Sequence, residues 1–398
     1  MGIKVLIVDD SVLARRLISS ALEEEPALDV VGTAVNGLNA LKKVDLLKPD
    51  LVIMDVEMPE MDGVEALKVI KQRYPDIAVI MFTSLSQASS EKTIEALEAG
   101  AEDYVAKPTG ANGVEEIKML TRSSLVPKIM ALRGNVKSSK AGLSSKTDAP
   151  ALSTPPSPAP SQRFTSSPPP VLRAERAEVK PVKPVRETPR PTRLTTNKLR
   201  APVKILVIGV STGGPNALAK LIPTIPASIP VPVLIVQHMP AAFTTTLAKR
   251  LDGASDLSVK EARAGEVVTP GAVRIAPGGF HMVVERKGGG VILNLNEDPP
   301  EQGCRPAVDV LFRSVAEVYG KHTLAVILTG MGKDGLNGSE AIIGQGGSLF
   351  AQDEESSVVW GMPGAVTRAG LVDKVIPLDR IGYEIMLRIE TTLAHTNH

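Results

Sequence analysis

Apolar residues fall into short runs that end abruptly on polar or small residues, with longer helix-period stretches between them. In the first third of the chain the runs are residues 3–8, "PDLVIMD", "IAVIMFTS" and "DYVAKP". They end at Asp9–Asp10, Asp55, Thr83–Ser84 and Lys107–Pro108, and helical stretches such as "SVLARRLISSALEEE" lie between them. Near-continuous apolar runs alternating with helices predict a parallel sheet covered on both faces. Beyond residue 200 the pattern resumes with "VKILVIGV", "VPVLIVQ", "AVRIAP", "VILNL", "TLAVILTG" and "GSLFAQ". "NALAKLIPTI" and "AVDVLFRSVAEVYG" separate several of these runs. The expected fold class is α/β in two domains: a doubly wound N-terminal domain, and a C-terminal domain with a mostly parallel, Rossmann-like sheet.

The stretch between them breaks both periods. From Asn135 to Arg200 there are 13 Lys and Arg against 4 Asp and Glu, and 12 of the 32 prolines, with Phe164 as the one aromatic residue. The formal net charge of +1 thus divides into about +9 here and about −8 elsewhere. Such a segment cannot bury enough apolar surface to offset the entropy of ordering. It is expected to be a disordered, self-repelling spacer rather than a nucleic-acid tract, since no aromatics are interleaved for stacking. Boundaries are placed at 1–122, a linker at 123–200, and 201–395. The single Cys, Cys304, excludes an internal disulfide and fits a reducing compartment. The N-terminus turns acidic too soon for a signal peptide, and no run is long enough to span a membrane. The expectation is a cytoplasmic protein with no membrane insertion and no nucleic-acid partner.

The ends of the first four strands gather chemistry. In parallel sheets, sites collect at the carboxyl ends of the strands. There Asp9, Asp10 and Asp55 would repel one another unless a cation joined them, and oxygen ligands with an incoming phosphate suit Mg²⁺. A carboxylate can itself accept a phosphoryl group, which makes Asp55 the candidate nucleophile. Lys107 can neutralise a phosphoryl oxygen and the Thr83 hydroxyl can donate to another. "VDDS", "DVEMPEMDG", "FTS" and "AKP" at these spacings resemble the receiver domain of two-component response regulators, which has a flavodoxin-like fold. The resemblance implies that Asp55 is phosphorylated by a phosphorylated histidine kinase. It also implies that Asp9, Asp10, Asp55 and the Glu57 carbonyl hold Mg²⁺, that Thr83 and Lys107 contact the phosphoryl group, and that Tyr104 is the aromatic switch.

In the second region "VIGVSTGGP" runs a strand into a small-residue turn. It lacks the middle glycine of a dinucleotide fingerprint and the lysine of a P-loop. It does match Gly-x-Ser-x-Gly, which raises a serine on a strand-to-helix turn. By itself that leaves Ser211 as a nucleophile, part of a phosphate cradle, or a residue of a plain turn. A nucleophilic serine needs a base and an orienter. His238 follows "VPVLIVQ" at a strand's carboxyl end and ranks ahead of His281, which follows a glycine-rich turn. His322 lies at the wrong end of the sheet. Asp334, in a glycine-rich loop after "TLAVILTG", ranks ahead of Asp298 and of Asp309, which reads as a surface or capping residue.

"GVSTGGP", "QHMP", "APGGFHM", "CRPAVDVLF", "LTGMGKDG" and "VVWGMP" together resemble the catalytic domain of the chemotaxis response regulator protein-glutamate methylesterases. The resemblance implies hydrolysis of glutamyl γ-methyl esters on methylated chemoreceptors, and deamidation of specific receptor glutamines. It also implies Ser211 as nucleophile, His238 as base and Asp334 as orienter, with Thr212 and the Met331 loop as oxyanion support and no cofactor for the hydrolysis. Two departures bear on substrate preference and are placed at the rim of the site. Cys304 stands where relatives often have His, and Gly364 where Arg is common after Gly-Met-Pro.

Overall fold

The computed structural model describes residues 2–107, 113–132 and 201–393. The first sheet comprises β1 (Ile3–Val8), β2 (Leu28–Ala34), β3 (Leu51–Asp55), β4 (Ala78–Thr83) and β5 (Asp103–Ala106), all parallel in the order β2-β1-β3-β4-β5. Every residue of β3 and β4 is buried. Helices α1 (Val12–Glu23), α2 (Gly37–Leu47), α3 (Gly63–Arg73) and α4 (Gln87–Glu98) cover the faces. Side-chain caps mark the helix starts. Ser11 accepts from the Ala14 amide, and Asp62 with Glu65 forms a reciprocal capping box on α3.

Two features of this half depart from the sequence reading. The edge strand β2 was not anticipated, because only its two ends are buried and its apolar run is broken. The final helix, α5 (Gly113–Leu120), passes through a π-turn at Thr121–Leu125 and continues over 126–132. Leu125, Ile129 and Leu132 are buried in the same apolar cluster as Val5, Ile7 and Val105, and Lys128 pairs with Asp103 at 2.6 Å. The spacer expected from residue 123 therefore begins with a packed helix. Its remainder, 133–200, lies outside the described residues.

The second sheet has seven parallel strands in the order β14-β13-β12-β6-β7-β9-β8. These are β6 (Ile205–Val210), β7 (Val233–Gln237), β8 (Ser258–Glu261), β9 (Ala272–Ile275), β12 (Thr323–Ile327), β13 (Ser348–Gln352) and β14 (Lys374–Ile376). "VILNL" does not join it. As β11 (Gly290–Asn296) it pairs with β10 (His281–Lys287) in a separate antiparallel hairpin. Helices α6 (Gly214–Leu221), α7 (Ala241–Ala254), α8 (Val308–Tyr319), α9 (Leu336–Gly344), α10 (Met362–Arg368) and α11 (Leu378–Leu393) pack on the faces. β6 lies between β7 and β12, where the strand order reverses, and such a reversal opens a crevice beyond the carboxyl ends.

The two halves touch through α4, β5, α6 and α7. Tyr104 stacks on Phe243 with ring centroids 4.6 Å apart, and the Ser90 and Thr246 hydroxyls meet at 3.0 Å in a buried contact. Asn216 donates to the Ala101 carbonyl, and Arg250 pairs with Glu98 at 2.7 Å.

Candidate functional site

The Ser211 turn is built by glycines where side chains would collide. A Cβ on Gly209 would fall 2.4 Å from Val308, and one on Gly330 would fall 2.9 Å from the Ser211 Cβ and 2.3 Å from Met362. Gly213 adopts φ +75° and caps α6. The Ser211 amide donates to Thr329 O, and Ser211 O accepts from the Gly214 amide at 2.7 Å. Thr329 Oγ1 donates to Thr212 O at 2.9 Å, fixing the turn from the β12 side.

His238 follows β7 and Asp334 follows β12, and the structure brings them together. His238 Nε2 lies 2.8 Å from Asp334 Oδ2. That carboxylate is saturated by backbone donors as well: Val308 N on Oδ2, and Asp309 N and Gly335 N on Oδ1, at 2.7, 2.9 and 2.9 Å. Burial would raise Asp334, but the imidazole and these amides hold it below the usual carboxylate range. Burial likewise disfavours the His238 imidazolium. The Asp334 hydrogen bond and the Cys304 sulfur outweigh it and push His238 up to about 9.

Among the described residues no hydrogen bond joins the Ser211 hydroxyl to His238. The second ring nitrogen, Nδ1, faces Cys304 Sγ at 3.6 Å. Cys304 is thus beside the imidazole rather than out at a rim. Gly364 is buried in α10, where a Cβ would fall 2.9 Å from the Trp360 ring and 2.8 Å from the Arg368 guanidinium. Being buried, Gly364 is not at the rim either. Met331 packs against the apolar cluster that contains Phe82 and Val105 of the first half, as does Val358, which lies against the Gly213 turn. A cavity of about 400 Å³ opens between the halves, bounded by Tyr104 and Lys128 on one side and His238, Cys304 and Arg305 on the other. The chain from Val359 to Trp360 is tied in place. Val359 N donates to Thr329 Oγ1, and Trp360 Nε1 donates to Gln352 O at 2.9 Å.

The other candidates have structural employment. His281 is fully buried, its Nδ1 accepting from Ala307 N and its Nε2 facing Pro299 O. His322 Nδ1 lies 2.7 Å from Pro202 O. Asp309 corrects the sequence reading: it is fully buried, not a surface residue. Its carboxylate accepts from Gly338 N at 2.7 Å and from Gln302 at 3.1 Å, and burial raises it to about 6.

At the first sheet, Asp9, Asp10 and Asp55 bring one carboxylate oxygen each within 4.8 Å of one another. Lys107 bridges Asp9 at 2.9 Å and Asp55 at 2.7 Å. Burial raises Asp55 to about 6, with Lys107 opposing and Asp9 reinforcing. Glu57 turns its amide toward Asp55 Oδ1 at 3.4 Å, while its side chain accepts from Ser89. Thr83 is fully buried and its hydroxyl accepts from Thr93 at 2.9 Å, a contact with no signature in the sequence. Three hard carboxylate oxygens gathered this closely, from Asp9, Asp10 and Asp55, with only the Lys107 ammonium between two of them, suit Mg²⁺.

Comparison with known proteins agrees with both halves. Residues 206–385 match the CheB methylesterase family and residues 5–132 the response regulator receiver domain. A Trichodesmium erythraeum protein named protein-glutamate methylesterase/protein-glutamine glutaminase is 43% identical over 97% of this chain and 99% of its own. A Nocardioides protein of the same name is 43% identical over 98% of this chain and 96% of its own. The crystal structure of the Thermotoga maritima CheB methylesterase catalytic domain, 46% identical, covers 48% of this chain and 98% of that one with a TM-score of 0.46. With full-length identity at this level and both family regions in order, the chain belongs to the CheB family of methylesterases that carry a response regulator receiver domain.

Proposed function

We propose that this chain demethylates glutamyl γ-methyl esters on chemoreceptors, and deamidates specific receptor glutamines, with Ser211 as nucleophile, His238 as general base and Asp334 as its orienter. The supporting observation is the 2.8 Å His238–Asp334 pair at the carboxyl ends of the two strands that flank the Ser211 strand. A phosphate-binding turn would have no use for an imidazole–carboxylate pair.

Asp334 engages Nε2, so Nδ1 is the nitrogen that accepts the serine proton. The Ser211 side chain must turn toward it, and the contact tightens with substrate bound, as in other apo sites. Ser211 Oγ then attacks the ester carbonyl while His238 takes its proton. Backbone amides at Thr212 and the Met331 loop would stabilise the developing oxyanion. Collapse of the tetrahedral species expels methanol, which leaves with the proton from His238, or ammonia from a glutamine. Water, deprotonated by His238, attacks the acyl-serine and releases the glutamate and Ser211.

Control belongs to the receiver. A phosphorylated histidine kinase would transfer its phosphoryl group to Asp55. Asp9, Asp10, Asp55 and the Glu57 carbonyl would hold Mg²⁺, which when bound neutralises charge on the phosphoryl oxygens. Lys107 would pair with one such oxygen, and Thr83 would turn its hydroxyl from Thr93 to another. That change at α4, passed on through Tyr104, shifts the docked contact with α7 and opens the cavity. The test is methanol release from methylated chemoreceptor, with and without phosphorylation of Asp55. Near-normal release by Ser211→Ala would show the nucleophile to be wrong. Equal rates for residues 201–398 and the unphosphorylated full chain would show that the receiver does not block the site.

A further inference from the structure

Gln237 is the last residue of β7, and the sequence reading assigned it nothing. It ends an otherwise apolar strand and is only 2% exposed. Its Nε2 lies 3.0 Å from Ser211 O and 3.3 Å from His238 O. Both partners are carbonyls, so the amide nitrogen must face them and the orientation of the group is determined. Its Oε1 is left buried with no hydrogen-bond partner among the described residues. A group that fills space alone would be cheaper as a hydrocarbon.

The location explains why it is kept. The β6–β7 ladder ends where His238 N donates to Val210 O at 3.3 Å. One residue later Ser211 N is bonded to Thr329 on the opposite neighbour. Among the described residues no further ladder bond ties the Ser211 backbone to the His238 side, and the Gln237 carboxamide spans that gap. Gly214 makes room for it, since a Cβ there would fall 1.9 Å from Oε1.

We infer that Gln237 is a positioning residue, whose carboxamide ties the Ser211 carbonyl to the His238 carbonyl and so sets the separation of nucleophile and base. The inference rests on the Ser211–His238 reading above. In the full chain, Gln237→Met keeps the volume and removes both hydrogen bonds. Methanol release from methylated chemoreceptor should show kcat lowered by about 10²-fold with KM within about twofold, as for a misplacement on the order of 1 Å, while the melting temperature stays near wild type. Gln237→Glu sharpens the test. Its carboxylate cannot donate, but its protonated form can donate one hydrogen bond, so its rate relative to wild type should rise as pH falls. Gly214→Ala leaves Gln237 in place but displaces the carboxamide, and should lower kcat in the same way even where Gln237→Met fails to fold. A folded Gln237→Met or Gly214→Ala with wild-type kcat overturns the inference. Ser211→Ala in the same assay separates the two readings. If it stays active the serine assignment fails, and if it is inactive beside a wild-type Gln237→Met only the Gln237 inference fails.

Discussion

Both crevices open at the carboxyl ends of parallel strands and both centre on a buried aspartate, yet the two aspartates are held in opposite ways. Asp334 receives three backbone amides and an imidazole. Asp55 has one lysine and a long contact from the Glu57 amide, with two more carboxylates beside it. The first arrangement leaves the carboxylate nothing further to gain and keeps a ring in one orientation. The second is incomplete by construction, because like charges so close need a cation or a change of protonation. A saturated site is prepared for repeated turnover, and an unsaturated one is prepared to be changed by what binds.

The contrast can be broken at either end, and the largest effect belongs to the saturated site. Ser211→Ala should lower kcat for methanol release by up to about 10⁶-fold, the scale seen when a serine nucleophile is removed. Asp334→Asn should cost about 10⁴-fold, because an amide keeps the shape but favours the wrong imidazole tautomer. If Asp334→Asn turned over within tenfold of wild type, the saturation described here would have no catalytic meaning.

At the interface, Thr246→Lys puts an ammonium into the buried contact with Ser90. The unphosphorylated rate should rise by about tenfold, equivalent to roughly 1.4 kcal/mol on docking. An unchanged rate would mean that this contact does not hold the cavity closed. The smallest effect is expected at Cys304. On the proposed mechanism His238 acts as base only as neutral imidazole, so activity should rise with pH as it loses its proton. The Cys304 sulfur is among the causes that raise His238, so Cys304→Ala should move that limb to lower pH by about one unit or less. A limb shifted upward would contradict the sign argued here.

What the sequence disclosed and what it withheld follow from range. Strands buried on both faces announce themselves in the sequence, and Asp9, Asp55, Ser211 and His238 end or directly follow such strands. β2, β8 and β14 are edge or partly exposed strands whose short, mixed runs carry little periodic signal. Asp309 was misread because a position early in a helix is usually solvated, whereas here α9 packs over it and donates from Gly338. The contacts of Cys304 with His238 and of Thr93 with Thr83 join separate elements or turns. No local pattern encodes them. Gln237 did leave a trace, a lone polar residue ending an apolar strand, but its meaning needed the carbonyls it reaches.

The Trp360 anchor has a further use. The chain contains one tryptophan, so its tryptophan fluorescence, excited selectively at the red edge, comes from a single indole. That indole is fixed to Gln352 O and follows directly on Val358 and Val359, which pack in the cluster that includes the receiver's own core. If the receiver leaves this contact as proposed above, the emission should report it. Phosphorylation should change it in the wild-type chain and leave it unchanged in Asp55→Asn, so domain release can be followed in real time with no label attached.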